Sequence, residues 1–316
     1  MAMKIAVVGL GSIAKRHILN LSSILENRAV DFEIDVFRHS NRPIDDAAVL
    51  AKIHSVYTDT DLSNNDCEYD IAFITNPTSL HYETIKKWVT HAKHMFIEKP
   101  VFEYVNENVL ELGLKSDSVY YVACPLRYTL VLQYIKSNID FSKVYSVRAI
   151  SSSYLPDWRP GIDYRKTYSA SKNMGGGVAI DLIHEWDYLT HFLGTPEKTL
   201  YVGGKYSHLE IDSDDLATYI GIYKDKIVEL HLDYFGRQTL RECTFFMNDE
   251  TVVADLTNGY VRFLKSGKTI ELKEERNRYQ IRELEHFLEI VEGKVLNDSS
   301  VYHAVEVLKI AKNYKG

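Results

Sequence analysis

The sequence lacks the cysteine pairs, the long apolar runs and the basic blocks that mark several large classes of protein. Its 316 residues include only three cysteines and no C-x-x-C, so neither a disulfide framework nor a zinc site is expected. Cys67, Cys124 and Cys243 are scattered, which predicts packed thiols in a reducing compartment. No apolar run approaches the roughly 20 residues that span a bilayer, and Met1 leads almost directly into a strand with no room for a signal peptide. We therefore expect a cytoplasmic protein with no membrane partner.

The charge balance argues against nucleic acid as a partner. Lysine and arginine number 37 against 44 acidic residues, a formal net charge of −7, and no stretch is strongly basic. The chain is 45% hydrophobic and 26% charged, which is ordinary globular composition. Its length predicts two domains, each with its own core.

A short apolar strand leads directly into a glycine-rich turn and then into a helical pattern. The strand Lys4–Val8 meets Gly9–Ala14, which reads G-x-G-x-x-A. Glycines suit this position because the turn is tight and a pyrophosphate must approach the backbone at the helix N-terminus. We therefore predict dinucleotide binding. The expected contacts are Gly9, Gly11, Ser12, Ile13 and Ala14.

The end of the second strand, Phe32–Phe37, bears on the choice of nicotinamide. NAD-selective sites usually place an acid there for the ribose hydroxyls, whereas this chain has Arg38 and Ser40. A guanidinium and a hydroxyl suit a 2′-phosphate, and Asp35, the only nearby acid, lies inside the strand. NADP(H) is therefore favoured and NAD(H) remains possible. The alternative is that Arg38 stacks on the adenine or faces solvent.

Strands and helices continue to alternate through the first 124 residues, as a doubly wound parallel (Rossmann) sheet requires. The predicted helices cover 45–53, 80–90 and 105–114, and the predicted strands cover 70–75, 95–97 and 119–123.

Two of these strands end in polar residues that should face the ligand crevice of such a sheet. Asn76-Pro77 follows one strand and Glu98-Lys99-Pro100 follows the other. Asn76, Pro77, Glu98 and Lys99 are therefore expected beside the nicotinamide. His81, at the start of the next helix, is placed with them as either a base or a structural hydrogen-bonding group.

From residue 125 to 316 the pattern becomes that of an α+β domain with a large, mainly antiparallel sheet. The predicted strands cover 143–154, 199–206, 216–223, 226–234, 240–246, 251–255, 260–264 and 269–272. The predicted helices cover 128–137, 280–292 and 301–312. We assign substrate binding and oligomerisation to this domain, leaving open whether its C-terminal helix packs back on the first.

A glycine-rich turn, Gly175–Gly177, precedes a predicted helix with Asp181 and His184 on one face. Histidine passes protons near neutral pH, and a carboxylate beside it can orient it. The alternative is a structural pair. Asp187 is interpreted as structural. A metal site is not expected, because the stretch that starts at His184 is not H-E-x-x-H and no cluster has ligand spacing.

The G-x-G-x-x-A-x-x-H motif (Gly9–His17), Asn76-Pro77 with His81, and Glu98-Lys99-Pro100 occur together in one order. Together they resemble the Gfo/Idh/MocA family of nicotinamide-dependent sugar and cyclitol oxidoreductases. The resemblance implies hydride transfer between nicotinamide and a secondary hydroxyl or ketone of a sugar. It also implies a homodimer or homotetramer formed through the C-terminal sheet.

The resemblance further implies catalytic roles for Lys99, His184 and Asp181. His184 would take the hydroxyl proton, Lys99 would hold the substrate oxygen, and Asp181 would orient one of the two. The family usually spaces this Asp and His four residues apart, and here they are three apart. The residues His184-x-x-Asp187 restore the register, so His184 is the better supported of the pair.

Substrate contacts are expected from aromatic residues that stack on sugar faces and from arginines that grip carboxylate or phosphate. We therefore expect an acidic or nucleotide-linked sugar, and the insert Trp158–Arg165 is similar to a subgroup from bacterial surface-polysaccharide pathways. Each residue alone could equally serve packing or oligomer contacts. The candidates are Arg127, Tyr154, Trp158, Arg159, Tyr164, Arg165, Tyr168 and His184.

Two alternatives from other classes stay open. One is a non-catalytic dinucleotide-binding sensor or regulator of the same fold, which need not keep Lys99, Asp181 and His184 together. The other is an enzyme of this fold that acts on a non-sugar such as an imine or a tetrapyrrole, which would not need the Asp–His pair.

Overall fold

The computed structural model describes residues 2–58 and 68–313, so Cys67 lies outside the described residues. The chain divides into two compact units. The first consists of Met1–Ala123 with Gln280–Val305, and the second of Cys124–Tyr279 with Glu306–Gly316. Residues 280–305, which the sequence assigned to the second domain, thus belong to the first unit. Cys124 and Cys243 are buried and form no disulfide within the described residues.

The elements are numbered in chain order. The helices are α1 (Ser12–Asn27), α2 (Ala47–Leu50), α3 (His81–Trp88), α4 (Leu130–Asn138), α5 (Val178–Asp181), α6 (His184–Leu193), α7 (Arg278–Val291) and α8 (Val301–Ala311). The strands of the first unit are β1 (Met3–Val8), β2 (Phe32–Arg38), β3 (Ser55–Thr58), β4 (Tyr69–Ile74), β5 (Ala92–Ile97) and β6 (Tyr120–Val122). The strands of the second unit are β7 (Val144–Tyr154), β8 (Lys198–Gly204), β9 (Leu216–Ile222), β10 (Ile227–Asp233), β11 (Phe235–Met247), β12 (Thr251–Asp255), β13 (Tyr260–Phe263) and β14 (Thr269–Glu271).

The first unit is built on a parallel sheet in the order β3-β2-β1-β4-β5-β6. Its central strands are apolar on both faces, and the run Ile71–Ile74 of β4 is fully buried. A strand covered on both faces needs such a continuous apolar run. The predicted doubly wound sheet is therefore confirmed, and β3 is an additional strand that the sequence analysis did not predict.

Two predicted helices of this unit are wrong in extent. The helix predicted over 45–53 is reduced to α2, because the N–H of His54 already bonds the carbonyl of Ile34 and the chain turns into β3. The helix predicted over 105–114 is only a 3₁₀ turn at Val109–Leu112. There the Asn108 side chain caps the start of the turn by accepting from the Leu110 N–H, and Gly113 ends it at a φ of +69°.

Residues 280–305 join the first unit through aromatic packing and one added strand contact. Phe287 of α7 lies 5.3 Å from the ring of Phe96 and 5.7 Å from that of Tyr121. The N–H of Val122 donates to the carbonyl of Ser299 at 2.8 Å, so the chain also pairs with the edge strand β6. These contacts account for its place in the first unit.

The second unit is built on an eight-stranded sheet in the order β14-β13-β12-β11-β7-β10-β9-β8. All neighbours pair antiparallel except β7 and β10, which are parallel. Alternate residues are buried on one face, as Val228, Leu230 and Leu232 are in β10. This architecture confirms the predicted large, mainly antiparallel sheet.

The single helix predicted to carry both Asp181 and His184 is wrong. Helix α5 ends at Asp181, Leu182 leaves the helical region with φ −98° and ψ +29°, and α6 begins at His184. The two residues therefore lie on separate helices and do not share a helix face. Within the described ranges, no helix combines the length and apolarity needed to cross a membrane.

Candidate active site

The glycine turn after β1 is required by a close approach of two backbones. Gly9 has a φ of +90°, and a Cβ on it would lie 2.8 Å from the backbone of Asn76, so glycine is needed here. Gly11 precedes α1, and a Cβ there would meet no described atom within 4 Å outside its chain neighbours. The space at the N-terminus of this 16-residue helix is therefore open to a phosphate group. The first turn of α1 contains the other predicted contacts, Ser12, Ile13 and Ala14.

A cavity of about 620 Å³ opens beside this turn. Gly9, Asn76 and Pro77 form one part of its wall. The loop after β2 forms another part through Arg38, His39, Ser40 and Arg42. An Nη of Arg38 donates to the carbonyl of Arg42 at 2.5 Å, and Ser40 Oγ accepts from the Arg42 N–H at 3.2 Å, so the loop is held by its own polar groups. The cavity thus joins the predicted phosphate turn to the predicted selectivity loop.

The acids near this loop differ in what they can reach. Asp35 accepts a hydrogen bond from the Tyr69 hydroxyl at 2.8 Å and lies 3.1 Å from Nδ1 of His54, so its carboxylate is engaged within the sheet. Asp45, which the sequence analysis missed, lines the cavity and pairs with Lys15 at 3.2 Å. That pair holds the pKa of Asp45 below its usual range. No local sequence signal marks Asp45, because it lies seven residues beyond the strand end.

Asn76 carries a polar atom that protein contacts leave unsatisfied. Its Nδ2 donates to Thr84 Oγ1 at 2.7 Å, whereas its Oδ1 is buried and has no hydrogen-bond partner among the described residues. Buried polar atoms are nearly always paired. An acceptor of this kind in a residue that lines the cavity, together with the open space over Gly11, fits a dinucleotide.

His81 holds the turn after β4 in place. The side chain is 1% exposed. Its Nε2 lies 3.0 Å from the carbonyl oxygen of Asn76, and its Nδ1 lies 3.1 Å and 3.2 Å from those of Pro100 and Val101. Burial lowers the pKa of His81 despite these carbonyls. The contacts support the structural alternative, in which His81 ties the Asn76 turn to the segment after Lys99.

Glu98 forms a buried pair with His17, the last residue of the G-x-G-x-x-A-x-x-H motif. His17 Nε2 lies 2.6 Å from Glu98 Oε1, and Glu98 Oε2 accepts from the Lys99 N–H at 3.3 Å. Burial alone would raise the pKa of Glu98, but the hydrogen bond and charge of His17, with Lys99 nearby, bring it below its usual value. The Lys99–Pro100 peptide bond is cis. The Glu98 carboxylate, predicted as a cofactor contact, thus links α1 to the end of β5.

In the second unit, Asp181 is bound by two tyrosines that are distant in sequence. The hydroxyls of Tyr168 and Tyr234 both donate to its carboxylate, and Asp181 is buried. Burial and the Asp181 charge raise the pKa of both phenols, so they remain hydrogen-bond donors at neutral pH. His184 begins α6 and is half-buried. Tyr234 was not among the predicted site residues, since its only sequence signal is its place at the end of a predicted strand.

The glycine turn before α5 packs against the backbone of Tyr168, one of the two tyrosines that bind Asp181. A Cβ on Gly176 would lie 2.0 Å from the carbonyl oxygen of Tyr168. Gly177 has a φ of +139° and directly precedes α5. The turn therefore packs against the backbone of a residue that binds Asp181, which is the reason for its glycines.

Two other predicted substrate residues join the same cluster. The Trp158 ring contacts that of Tyr234 edge to face at 5.2 Å, and its Nε1 donates to Ser153 Oγ at 2.9 Å. The Arg159 guanidinium lies 5.9 Å from the ring centroid of Tyr168. Trp158 and Arg159 thus lie beside the two tyrosines that bind Asp181, the first against Tyr234 and the second against Tyr168.

The remaining predicted arginines are engaged by carboxylates. Arg127 is buried and donates to both oxygens of Asp187 at 2.8 Å and 2.6 Å. Arg165 pairs with Asp163 and Glu210.

Of the two remaining predicted aromatics, Tyr164 points to the same loop as Arg165, since its hydroxyl accepts from the Glu210 N–H at 3.2 Å. Tyr154 instead lies under Arg237, 3.9 Å from guanidinium carbon to ring centroid. Arg237 was not among the predicted site residues.

Comparison with known proteins supports the same interpretation of the first unit. Residues 3–112 match the GFO_IDH_MocA model, described as an oxidoreductase family with an NAD-binding Rossmann fold. A D-xylose dehydrogenase of Paenarthrobacter nicotinovorans is 25% identical over 223 residues, which cover 58% of this chain and 58% of that protein. The chain spans a little over half the length of the first curated relatives that it matches.

Solved structures match over nearly the whole chain. A levoglucosan dehydrogenase in complex with NADH has a TM-score of 0.80 at 16% identity and covers 99% of this chain and 95% of its own. A UDP-N-acetylglucosamine 3-dehydrogenase from Acidithiobacillus ferrooxidans has a TM-score of 0.77 at 19% identity and covers 99% and 96%. At these identities the likeness establishes the fold.

Proposed function

We propose that the protein is a nicotinamide-dependent sugar or cyclitol dehydrogenase or reductase, because residues 3–112 match the GFO_IDH_MocA model of oxidoreductases with an NAD-binding Rossmann fold. The observation that carries the proposal is the glycine turn that opens on the 620 Å³ cavity. Asn76 lines the same cavity, and its buried Oδ1 has no hydrogen-bond partner among the described residues. When bound, the nicotinamide supplies the hydride chemistry. The chain would hold it through the α1 N-terminus, the turn at Asn76 and the loop after β2.

The protein's own residues would handle the substrate oxygen and its proton. Lys99 binds the hydroxyl oxygen and stabilises negative charge on it, and His184 takes its proton on oxidation and returns it on reduction. Asp181 serves as an orienting group, held by the hydroxyls of Tyr168 and Tyr234. General acid–base help of this kind contributes about 10² to 10⁴ in rate.

NADP(H) is the proposed cofactor. Arg38, Ser40 and Arg42 line the cavity, whereas Asp35 is engaged by Tyr69 and His54. Guanidinium groups bind phosphate through paired N–H donors.

The proposed substrate is an acidic or nucleotide-linked sugar of the kind found in bacterial surface polysaccharides. The exposed Arg159 beside Tyr168 supports an anionic group, and one protein of the same fold is a UDP-N-acetylglucosamine dehydrogenase by name.

Self-association through the open face of the second sheet is also proposed. Ile227 and Phe246 flank Ser146 in register, and Leu200 and Val202 of β8 are also exposed. Apolar residues exposed on a sheet face favour association. A light-scattering mass equal to one chain would contradict it.

The test combines cofactor titration with a panel of sugars. We expect tighter binding of NADPH than of NADH, and Arg38→Gln should weaken NADPH binding about tenfold with little effect on NADH. Arg28→Gln is the matched control, since Arg28 pairs with Glu292 and does not line the cavity. Lys99→Met and His184→Ala should bind cofactor normally and lose turnover. Binding of cofactor with no turnover across the panel would favour a sensor, and preference for NADH would refute the role given to Arg38.

A further inference from the structure

The start of β11 contains an anchored bulge. Phe235 pairs with Tyr154 of β7 and the next pair is Leu240 with Ser152, so residues 236–239 leave the ladder. The Asp233 carboxylate stabilises the bulge, because it accepts hydrogen bonds from the N–H groups of Phe235 at 3.0 Å and of Gly236 at 2.7 Å. Burial alone would raise the pKa of Asp233, but hydrogen bonds from its neighbours lower it, so it stays charged.

The backbone of this bulge lies close to β7. A Cβ on Gly236 would lie 1.9 Å from Ser152 Oγ and 3.1 Å from Ser152 Cβ. The following residues, 237–239, are exposed. Bulges of this kind re-aim side chains and are frequent beside active sites.

The side chain that the bulge presents is Arg237, which stacks on Tyr154. The guanidinium carbon lies 3.9 Å from the ring centroid, within the range of a cation–π contact. A guanidinium on a ring face keeps the N–H donors around its edge free for an acceptor. Within the described ranges, Arg237 makes no ion pair with a carboxylate, in contrast to Arg127 and Arg165.

The same strand end carries the Asp181 cluster. Tyr154 pairs with Phe235, the residue after Tyr234, and the Tyr234 hydroxyl donates to Asp181. Trp158 also packs on Tyr234. Arg237 is therefore three residues from a group that binds a proposed catalytic carboxylate, and all these residues lie in the second unit.

We propose that Arg237, stacked on Tyr154, is a specificity-determining residue that binds an anionic group of the substrate, either a carboxylate or a phosphate. The proposal rests on the proposed function. Arginine suits the task because it stays charged and binds such groups with two parallel hydrogen bonds. With its face on Tyr154 and no carboxylate partner among the described residues, the Arg237 guanidinium keeps paired N–H donors for such a group.

The test compares neutral and anionic sugars on three variants. D-glucose, D-glucuronate and D-glucose 1-phosphate serve as probes of matched ring and different charge. Arg237→Met should raise KM for the anionic sugar that the protein uses by about 10- to 100-fold, with kcat and the KM for glucose nearly unchanged. Arg237→Lys should recover part of the loss, because it keeps the charge without the paired geometry. Arg262→Met is the matched control and should have no such effect, because Arg262 also stacks on a tyrosine, 4.9 Å from its guanidinium carbon to the ring centroid of Tyr260, and belongs to no predicted site.

Direct binding by calorimetry separates this proposal from the proposed function. If Arg237→Met abolishes binding of glucuronate or the phosphate while no sugar is turned over, the anion site stands and the dehydrogenase proposal fails. Equal effects on neutral and anionic sugars, or no effect on either, would overturn the anion site. The preferred anion distinguishes an acidic sugar from a phosphorylated or nucleotide-linked one.

Discussion

The buried pair of His17 and Glu98 allows a quantitative prediction. Their atoms are 2.6 Å apart, and the side chains are 2% and 14% exposed. The His17 ring also packs on Phe73 and Phe96, with centroids 5.6 Å and 5.0 Å away. A polar pair enclosed in this way is stable only while both partners are present.

We therefore expect unequal costs for the two halves of the pair. His17→Phe keeps a ring among the aromatics but leaves the Glu98 carboxylate buried without its partner, which costs about 3–5 kcal/mol. Glu98→Gln removes the charge itself, so a cost of about 1–2 kcal/mol is expected. The double variant should be more stable than the sum of the single losses predicts, since the stranded charge is gone.

The pH dependence follows from the direction of the Glu98 shift. Because the folded pKa lies below the usual value of 4.5, its stabilisation is fully present above pH 4.5 and is lost as pH falls through the folded pKa. Glu98→Gln has no such group. The difference in unfolding free energy between wild type and this variant should therefore be constant near neutral pH and shrink below 4.5.

Urea unfolding measured from pH 7 to pH 3 tests these values. Hydrogen exchange of peptides from α1 and β5 assigns the change to the first unit, because a chain of two units need not unfold in one step. Two results would contradict the role given to the pair. One is a loss of unfolding free energy in His17→Phe no larger than that in Glu98→Gln. The other is a difference in unfolding free energy between wild type and Glu98→Gln that does not change with pH.

Two further predictions concern the cofactor turn. Gly9→Ala should destabilise the first unit by more than about 1 kcal/mol, because its Cβ would overlap the Asn76 backbone at a φ of +90°. Gly11→Ala should instead leave the thermal midpoint of the cofactor-free protein unchanged and weaken NADPH binding. Equal thermal losses in the two variants would contradict this contrast. His81 should titrate below its usual pKa of about 6.5 by NMR, so the unfolded chain binds more protons and stability falls as the pH drops below 6.5. An NMR pKa at or above 6.5 would be inconsistent with the buried neutral imidazole.

The first unit was predictable where its signals are local. The strand runs and the glycine turn depend on residues that adjoin in sequence, and β1, β2, β4 and β5 were predicted with their ends within a few residues. The helix predicted over 105–114 failed because the Asn108 side chain caps a turn that begins only at Val109, and Gly113 ends that turn at a φ of +69°. Apolar spacing alone does not report such caps.

The second unit was predictable in architecture but not in its polar contacts. Strand alternation indicated the antiparallel sheet, because burial on one face imposes a period of two. The partners of Asp181 could not be predicted in this way, since Tyr168 and Tyr234 lie 13 and 53 residues from it. The sequence instead placed Asp181 and His184 on one helix, whereas Asp181 ends α5 and His184 begins α6.

The predicted anion-binding arginines were also affected by contacts between residues that are distant in sequence. A sequence shows which residues can bind an anion, but whether a guanidinium is available depends on carboxylates that folding brings to it. Asp187 lies 60 residues from Arg127 and Glu210 lies 45 residues from Arg165, and each engages its arginine. Arg237 was overlooked because nothing in its neighbourhood suggests a site, and only the bulge in β11 brings it onto Tyr154. Selection by residue type alone includes arginines, such as Arg127 and Arg165, that the fold has already paired with carboxylates, so the surroundings of each guanidinium in the fold are the better criterion.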